Sequence, residues 1–370
     1  MLSILNHLKK FDWLLMAAVF ILCAISLLTL RGIDLGGGSN HFWRQLIFLL
    51  ISLGGMVIVS FLEARVLKDK PAVLVGLYFF VVLVLVGVLL SGSKIRGSIS
   101  WFSVGSLNFE PVELAKLAVV LVLAKYFSAR HVEVYRIRHI ILSAGYAFLP
   151  VGLVLLQPDL GSALIMVFTW LGVVLLSGIK PRHLIIVLFA GAIVMAGAWG
   201  FVLKPYQKNR IITFLDPAHD PLGSSYNLNQ AKIAIGSGGW WGKGLGHGSQ
   251  SQLNFLPEKH TDFIFAVLAE EWGFFGVAFI CALFLFILWR VINICLTASN
   301  NFFRLIAAGY ALLILIQVFI NVGMNLGIMP ITGISLPFLS YGGSGLLFNF
   351  LALGLLQNII VQGKKELGAV

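Results

Sequence analysis

Residues 13–30 read WLLMAAVFILCAISLLTL, a run without a single charged side chain. A helix needs about 20 predominantly apolar residues to cross the hydrocarbon core of a bilayer, because each residue adds about 1.5 Å of rise. The run therefore predicts a membrane-spanning helix. It is too long for the apolar core of a secretory signal and lacks the A-x-A cleavage pattern, so it reads as an uncleaved first span. Nine further apolar runs lie at about 45–62, 71–91, 112–128, 140–157, 161–178, 184–203, 263–289, 305–325 and 345–362.

Composition agrees with that reading. Of 370 residues, 59% are hydrophobic and 11% charged, with mean hydropathy +0.96. A soluble domain averages roughly 45–50% apolar and about 25% charged. This chain has too few polar residues to cover a water-facing surface, and far too many apolar ones for intrinsic disorder. The expected fold class is all-α: one integral membrane domain over 1–370, polytopic, with about ten transmembrane helices.

The basic residues choose the orientation. With the N-terminus cytoplasmic, that side holds 15 basic residues: Lys9, Lys10, Arg65, Lys68, Lys70, Lys125, Arg130, Arg136, Arg138, Lys180, Arg182, Arg290, Arg304, Lys364 and Lys365. The short loops opposite hold 4: Arg31, Arg44, Lys94 and Arg96. Positive loops stay inside. Both termini are therefore expected in the cytoplasm, with the long 204–262 loop, between helices seven and eight, extracytoplasmic. The net charge of +11 is explained by this bias rather than by nucleic-acid binding.

Several chemistries are excluded by pattern. Cys23, Cys281 and Cys295 all lie in apolar runs and form no C-x-x-C pair. There is no H-E-x-x-H, no Walker sequence and no G-x-G-x-x-G. The spans show no internal repeat, which weakens an inverted-repeat transporter reading.

The remaining polar residues converge on the outer ends of the spans. Glu113 and Lys116 open the fourth span, one turn apart on one face. Asp159 sits in the tight joint Gln157-Pro158-Asp159-Leu160-Gly161-Ser162, and Asp262 ends the long loop. Arg210, Lys232, Lys243 and His260 lie within that loop, and Ser340-Tyr341-Gly342-Gly343-Ser344 precedes the tenth span. Ionisable groups at membrane depth are functional candidates by default. Each also has a plainer reading. Glu113 and Lys116 make a self-neutralising ion pair. Asp159 and Asp262 make helix N-caps, the simpler account for Asp159. Gln317, Asn321 and Asn325 form an i, i+4, i+8 stripe best explained by hydrogen bonds between helices. Of Glu270 and Glu271, deeper in span eight, one is expected to pair with another helix. The stretch GSGGWWGKGLGHGSQ (236–250) carries seven glycines, which suit either a flexible loop or backbone nests for an anion.

Together these stretches resemble the SEDS family (shape, elongation, division and sporulation), most closely its rod-shape-determining RodA branch. The resemblance is carried by Tyr206-Gln207, Arg210-Ile211, Leu215-Asp216-Pro217, Asp220-Pro221-Leu222-Gly223, Gln230 to Gly239, Gln250-Ser251-Gln252, Leu256 to Phe265 and Ser340 to Ser344. Gln157 to Gly161 and the Glu113/Lys116 pair match too, so it covers nearly the whole chain. It implies a peptidoglycan glycosyltransferase in the bacterial cytoplasmic (inner) membrane. Such an enzyme polymerises lipid II on the outer face during cell elongation and rod-shape maintenance. The partners implied are a class B penicillin-binding protein, which crosslinks the glycan, and other membrane proteins of the elongation machinery. By motif, Asp262 is the family's essential acidic residue, and Glu113, Lys116 and Asp159 line its cavity. Two departures stand out: Ser100 replaces an arginine, for which Arg96 or Lys94 would have to substitute, and Glu110-Pro111-Val112-Glu113 replaces Gln-Pro-Ser-Glu.

The implied reaction needs a base, because an alcohol is a poor nucleophile at neutral pH. Asp262 is expected to take the proton of the acceptor's GlcNAc 4-hydroxyl. Lys116, Arg210 and Lys232, in that order, are expected to offset charge on the leaving pyrophosphate. A divalent cation, magnesium or manganese, held by Asp159 or Glu113, would serve the same end. The competing readings are a lipid II flippase and a non-catalytic scaffold for a transpeptidase.

Overall fold

The computed structural model describes residues 7–35, 40–95, 98–104, 107–130, 137–201, 203–216, 220, 223 and 225–367. Of the residues singled out above, Arg96, Gly97, Arg136, Pro217, Pro221 and Leu222 lie outside these.

Each of the ten apolar runs is a helix: α1 (Trp13–Leu35), α2 (His41–Phe61), α4 (Pro71–Ser91), α5 (Pro111–Ser128), α6 (Ile137–Leu156), α7 (Leu160–Leu176), α8 (Pro181–Phe201), α12 (Ile264–Thr297), α13 (Asn301–Leu326) and α14 (Gly343–Leu367). Eight are long and apolar enough to cross a membrane unaided. The other two are α5, which carries Glu113 and Lys116, and α7, which has 17 residues. Short helices fill the joints: α3 (Ala64–Asp69), α9 (Pro205–Leu215), α10 (Tyr226–Ser237) and α11 (Ser249–Gln252).

Helix starts follow the local chemistry. Pro71, Pro111 and Pro205 sit at first positions, where a missing N–H removes nothing. Asn300 caps α13 by accepting the Phe303 amide at 3.0 Å, and Gly327 ends that helix in the left-handed region at φ 76°. The core lies between α1, α2, α5, α7, α12, α13 and α14. Outward faces stay apolar for lipid, and α8 buries none of its residues. At the α2–α14 crossing, a Cβ on Gly354 would come within 2.5 Å of the Met56 carbonyl. Only glycine permits that approach.

Two features depart from the sequence expectation. The 92–111 joint carries a small antiparallel sheet, β1 (Ser93–Ile95), β2 (Ser98–Val104) and β3 (Leu107–Phe109), in which Ser93 pairs Trp101 and Phe102 pairs Phe109. The eighth run is longer than 263–289 and broken. Its 34 residues would reach about 51 Å if straight, well beyond a core of about 30 Å. Gly273, at φ 67° and ψ −166°, kinks it into 264–272 and 274–297.

The bundle thus has two polar ends. At the end holding both termini, Arg290 donates twice to Asp12 Oδ2, at 2.6 and 3.0 Å. The Gln357 side chain accepts the Asp12 amide at 2.8 Å, and Asn358 donates to the carbonyls of Ser60 and Leu62.

Candidate active site at the opposite end of the bundle

The first two site residues are set by the opening turn of α5. Glu113 and Lys116 face the same way, one turn apart, and Lys116 Nζ donates to Glu113 Oε1 at 2.6 Å. Both are buried, at 8% and 4% exposure. A buried pair needs its partners, since either charge alone would be uncompensated. The expected ion pair is therefore present, and it lies against α14: a Cβ on Gly345 would stand 3.9 Å from the Glu113 carboxyl carbon.

Asp159 is the N-cap of α7. Its Oδ1 accepts the Ser162 amide at 3.0 Å. The same joint is pressed onto the 327–342 connection, because a Cβ on Gly161 would lie 2.7 Å from the Thr332 carbonyl. Gln157 ties it to α4 by donating to the Leu85 carbonyl at 3.0 Å.

Asp262 stands one residue before the cap position of α12. The cap position of α12 is Phe263, which makes no side-chain capping bond. What holds Asp262 is a backbone clamp. The carbonyls of His260, Thr261 and Asp262 each accept a donor from elsewhere in the chain. The Tyr341 amide donates to His260 O at 2.8 Å, and the Ser340 hydroxyl donates to Thr261 O at 2.7 Å. The amides of Asn321 and Asn325 both donate to Asp262 O, at 3.1 Å each. Asn321 also donates to Ile334 O at 2.7 Å, and Asn325 to Asn321 O at 2.8 Å. The α13 stripe was expected to bond between helices; Asn321 and Asn325 instead donate to carbonyls of the connections, and what they hold is the stretch carrying Asp262. The Asp262 carboxylate faces Gly333, whose φ is 75°; a Cβ there would sit 3.5 Å from Oδ2.

Glu110 ties these groups together, and sequence reading noted it only as a departure from the family pattern. It precedes α5, and its amide donates to the Ser344 hydroxyl at 2.9 Å. Burial pushes its carboxyl well above the ordinary carboxylate range. The fields of Glu113, Asp159 and Asp262 push the same way, and Lys116 opposes them. Four carboxylates and one ammonium therefore share one site. The signal was present in the spacing, since Glu110 stands one turn before Glu113 across Pro111.

Arg210 and Lys232 lie on the 327–331 stretch. A Cβ on Gly327 would meet Lys232 Nζ at 2.6 Å, which puts this cation at the C-terminus of α13, where the helix dipole favours it. Arg210 lines a shallow depression with Thr213, Phe214, Leu228, Met329, Pro330 and Ile331. Ser100, in β2, is buried. Among the described residues, no three His, Cys, Asp or Glu side chains converge as a metal cage.

The glycine-rich loop is folded, and its anion is the protein's own. Glu270 Oε1 accepts from Lys243 Nζ at 2.9 Å, the Ser249 hydroxyl at 3.2 Å and the Gln250 amide at 3.0 Å. The Gly246 amide donates to Glu271 at 3.0 Å. The partner of this glutamate pair is therefore the 243–251 segment, including the start of the short α11, and not another span. Gly242 must be glycine, since its φ is 80° and a Cβ would lie 2.2 Å from the Glu271 carbonyl. Trp240 and Trp241 pack on Phe274 and Phe275, just past the kink.

Comparison with known proteins gives one consistent result. Residues 6–365 match a family model described as cell cycle protein, FtsW/RodA/SpoVE. The chain is 36% identical to the peptidoglycan glycosyltransferase MrdB of Escherichia coli (strain K12), over 97% of this chain and 95% of that one. It is 39% identical to stage V sporulation protein E of Bacillus subtilis (strain 168), over 85% and 86%. A solved structure described as a peptidoglycan synthase complex that coordinates polymerization and crosslinking superposes with TM-score 0.81, at 34% identity, over 95% of this chain and 98% of that one. The crystal structure of the rod shape determining protein RodA of Thermus thermophilus superposes with TM-score 0.70, at 32% identity, over 95% and 96%.

Proposed function

The chain belongs to the FtsW/RodA/SpoVE family of cell cycle proteins, and from that premise we propose how it works as a peptidoglycan glycosyltransferase. The substrate is lipid II, and the active site faces outward from the bacterial cytoplasmic membrane. The orientation rests on the 15-to-4 bias of basic residues. A class B penicillin-binding protein crosslinks the product; the synthase complex of similar fold supports that pairing.

The observation that carries the mechanism is that the 327–345 segment gathers the candidate groups: Gly333 faces the Asp262 carboxylate, Gly345 faces the Glu113 carboxyl that holds Lys116, and Thr332 packs on Gly161 beside Asp159. Asp262 is the general base. It accepts the proton of the GlcNAc 4-hydroxyl as that oxygen attacks the anomeric carbon of the donor. General-base assistance of this kind supplies about 10²–10⁴-fold. The bond to the lipid pyrophosphate breaks as the new glycosidic bond forms. Direct displacement inverts the α-linked donor into a β-linked glycan. One carboxylate suffices, because pyrophosphate departs without a protonated acid partner.

Lys116 is the cation that meets charge developing on the pyrophosphate, and Glu113 keeps its ammonium aimed into the site. Arg210 and Lys232 serve at longer range, along the 327–331 stretch. Asp159 braces the joint beneath the site while adding to its field. Glu110, whose carboxyl is pushed up by burial and by Glu113, Asp159 and Asp262, adds less negative charge to the site than an ordinary carboxylate would. A magnesium or manganese ion would be held by Asp159 or Glu113 together with the pyrophosphate and would offset its charge; no step here runs through one.

The test uses the full-length chain with its transpeptidase partner and purified lipid II. Asp262→Ala and Asp262→Asn are compared with wild type after a folding check. Loss of glycan product in both supports the base. Near-normal polymerisation in either, with the protein folded, excludes it.

A further inference from the structure

Beside the clamp that holds Asp262 stands a group of aromatic rings that the reaction above does not use. His41 opens α2, His260 precedes Asp262 by two residues, and Tyr341 lies in the turn before α14. Their rings meet. His41 and His260 are stacked, with centroids 4.4 Å apart. Tyr341 stands edge-on to both, at 4.9 Å from His41 and 5.6 Å from His260.

The group is held rigidly. Asp34, at the end of α1, receives His41 Nδ1 at 2.9 Å on one oxygen and the Phe42 amide at 2.9 Å on the other. That contact fixes the ring plane of His41 and makes Nδ1 the protonated nitrogen. The Tyr341 amide is bonded to the His260 carbonyl. Gln45, one turn along α2 from His41, donates to Ser340 O at 3.3 Å and accepts the Gly342 amide at 3.2 Å. The two histidines nonetheless keep 23% and 22% of their side-chain surface open, so one side of the group faces outward.

We propose that His41, His260 and Tyr341 form a stacking platform for the N-acetylhexosamine ring that carries the attacking hydroxyl. The proposal rests on the glycosyltransferase reading above and extends it to a subsite. Three arguments lead there. A pyranose has an apolar C–H face that packs on aromatic rings, and rings fixed in advance bind with little loss of side-chain freedom. The platform is continuous with Asp262, since Tyr341 and Ser340 bond to the carbonyls of the two residues preceding it. Its surroundings also disfavour a phosphate: Asp34 touches His41, and Glu258 Oε2 lies 4.0 Å from His260 Nε2. A neutral sugar suits that setting, while the pyrophosphate belongs nearer Lys116.

The experiment measures polymerisation by the full-length chain and its transpeptidase over a range of lipid II concentrations. Tyr341→Ala is expected to raise KM about tenfold, or about 1.4 kcal/mol of binding, with kcat within about twofold. His41→Ala is expected to act the same way, and Tyr341→Phe, which restores the ring, to recover most of the loss. A fall in kcat at unchanged KM, or failure of Phe to rescue, overturns the platform. Saturation-transfer NMR with a soluble N-acetylglucosamine oligomer gives an independent reading on folded protein. Transfer is expected for wild type and its loss for His41→Ala; transfer that persists in the variant overturns the proposal. A wild type that makes no glycan would instead overturn the function itself, whereas active variants with unchanged KM overturn the platform alone.

Discussion

The two ends of the bundle solve the same electrostatic problem in opposite ways. Where the termini meet, one carboxylate faces one guanidinium: Asp12 binds Arg290, and Gln357 and Asn358 stitch α14 to its neighbours. At the other end, Glu110, Glu113, Asp159 and Asp262 share a site with one ammonium, that of Lys116. A balanced pair serves the fold. An unbalanced group does not stabilise a fold, because like charges repel and each has lost hydration. Its persistence marks the place where chemistry is done.

That contrast can be broken by experiment, beginning where the effect is largest. Asp262→Asn keeps size and shape but cannot accept a proton. Its kcat for lipid II polymerisation is expected to fall by at least about 10²-fold, with the thermal unfolding midpoint close to wild type. Lys116→Met is expected to lower turnover by about 10²-fold and also to destabilise, since it leaves Glu113 buried and unpaired. The double variant Glu113→Gln/Lys116→Met is expected to regain stability without regaining turnover. A double variant that polymerises normally would make the pair a structural one, like that at the other end.

At the termini end the expectation is reversed. Asp12→Ala leaves Arg290 without its carboxylate and is expected to destabilise by about 3 kcal/mol, read by chemical denaturation in detergent. Activity per folded molecule should remain near that of wild type. Asn325→Ala removes one of the two donors to the Asp262 carbonyl. A small misplacement of a reacting group slows the chemical step, so kcat is expected to fall about tenfold at unchanged KM.

The smallest effect concerns pH. The carboxyl of Glu110 is raised in the folded protein, so folding favours its protonated form. Its contribution to stability is complete below the unfolded value near 4.3 and is lost as pH rises through the raised one. Wild type is therefore expected to lose unfolding midpoint as pH rises above about 4.3, and by more than Glu110→Gln does. An identical loss in both would mean that Glu110 is charged throughout.

Much of this molecule was legible before folding was considered. Runs of predominantly apolar residues marked all ten spans, because a span must satisfy its backbone internally and face lipid with its side chains. Glu113, Lys116, Asp159 and Asp262 stood out because charged residues are scarce in such a chain. The i, i+4, i+8 stripe marked Asn321 and Asn325 as buried donors, but their acceptors are connection carbonyls rather than another helix. Other features carried no local signal. The sheet at 93–109 is built from short paired strands that no hydropathy pattern marks. The loop around Glu270 depends on close backbone approaches that no spacing reveals.

Sequence by itself determined the membrane class, the ten spans, the orientation expected from basic residues and most of the charged site. Those are properties of single segments, set by hydropathy and charge. Tertiary structure alone decided that Asp262 is clamped through its carbonyl and that His41, His260 and Tyr341 meet. Each of those depends on residues brought together from distant parts of the chain, and packing, not local propensity, sets such distances.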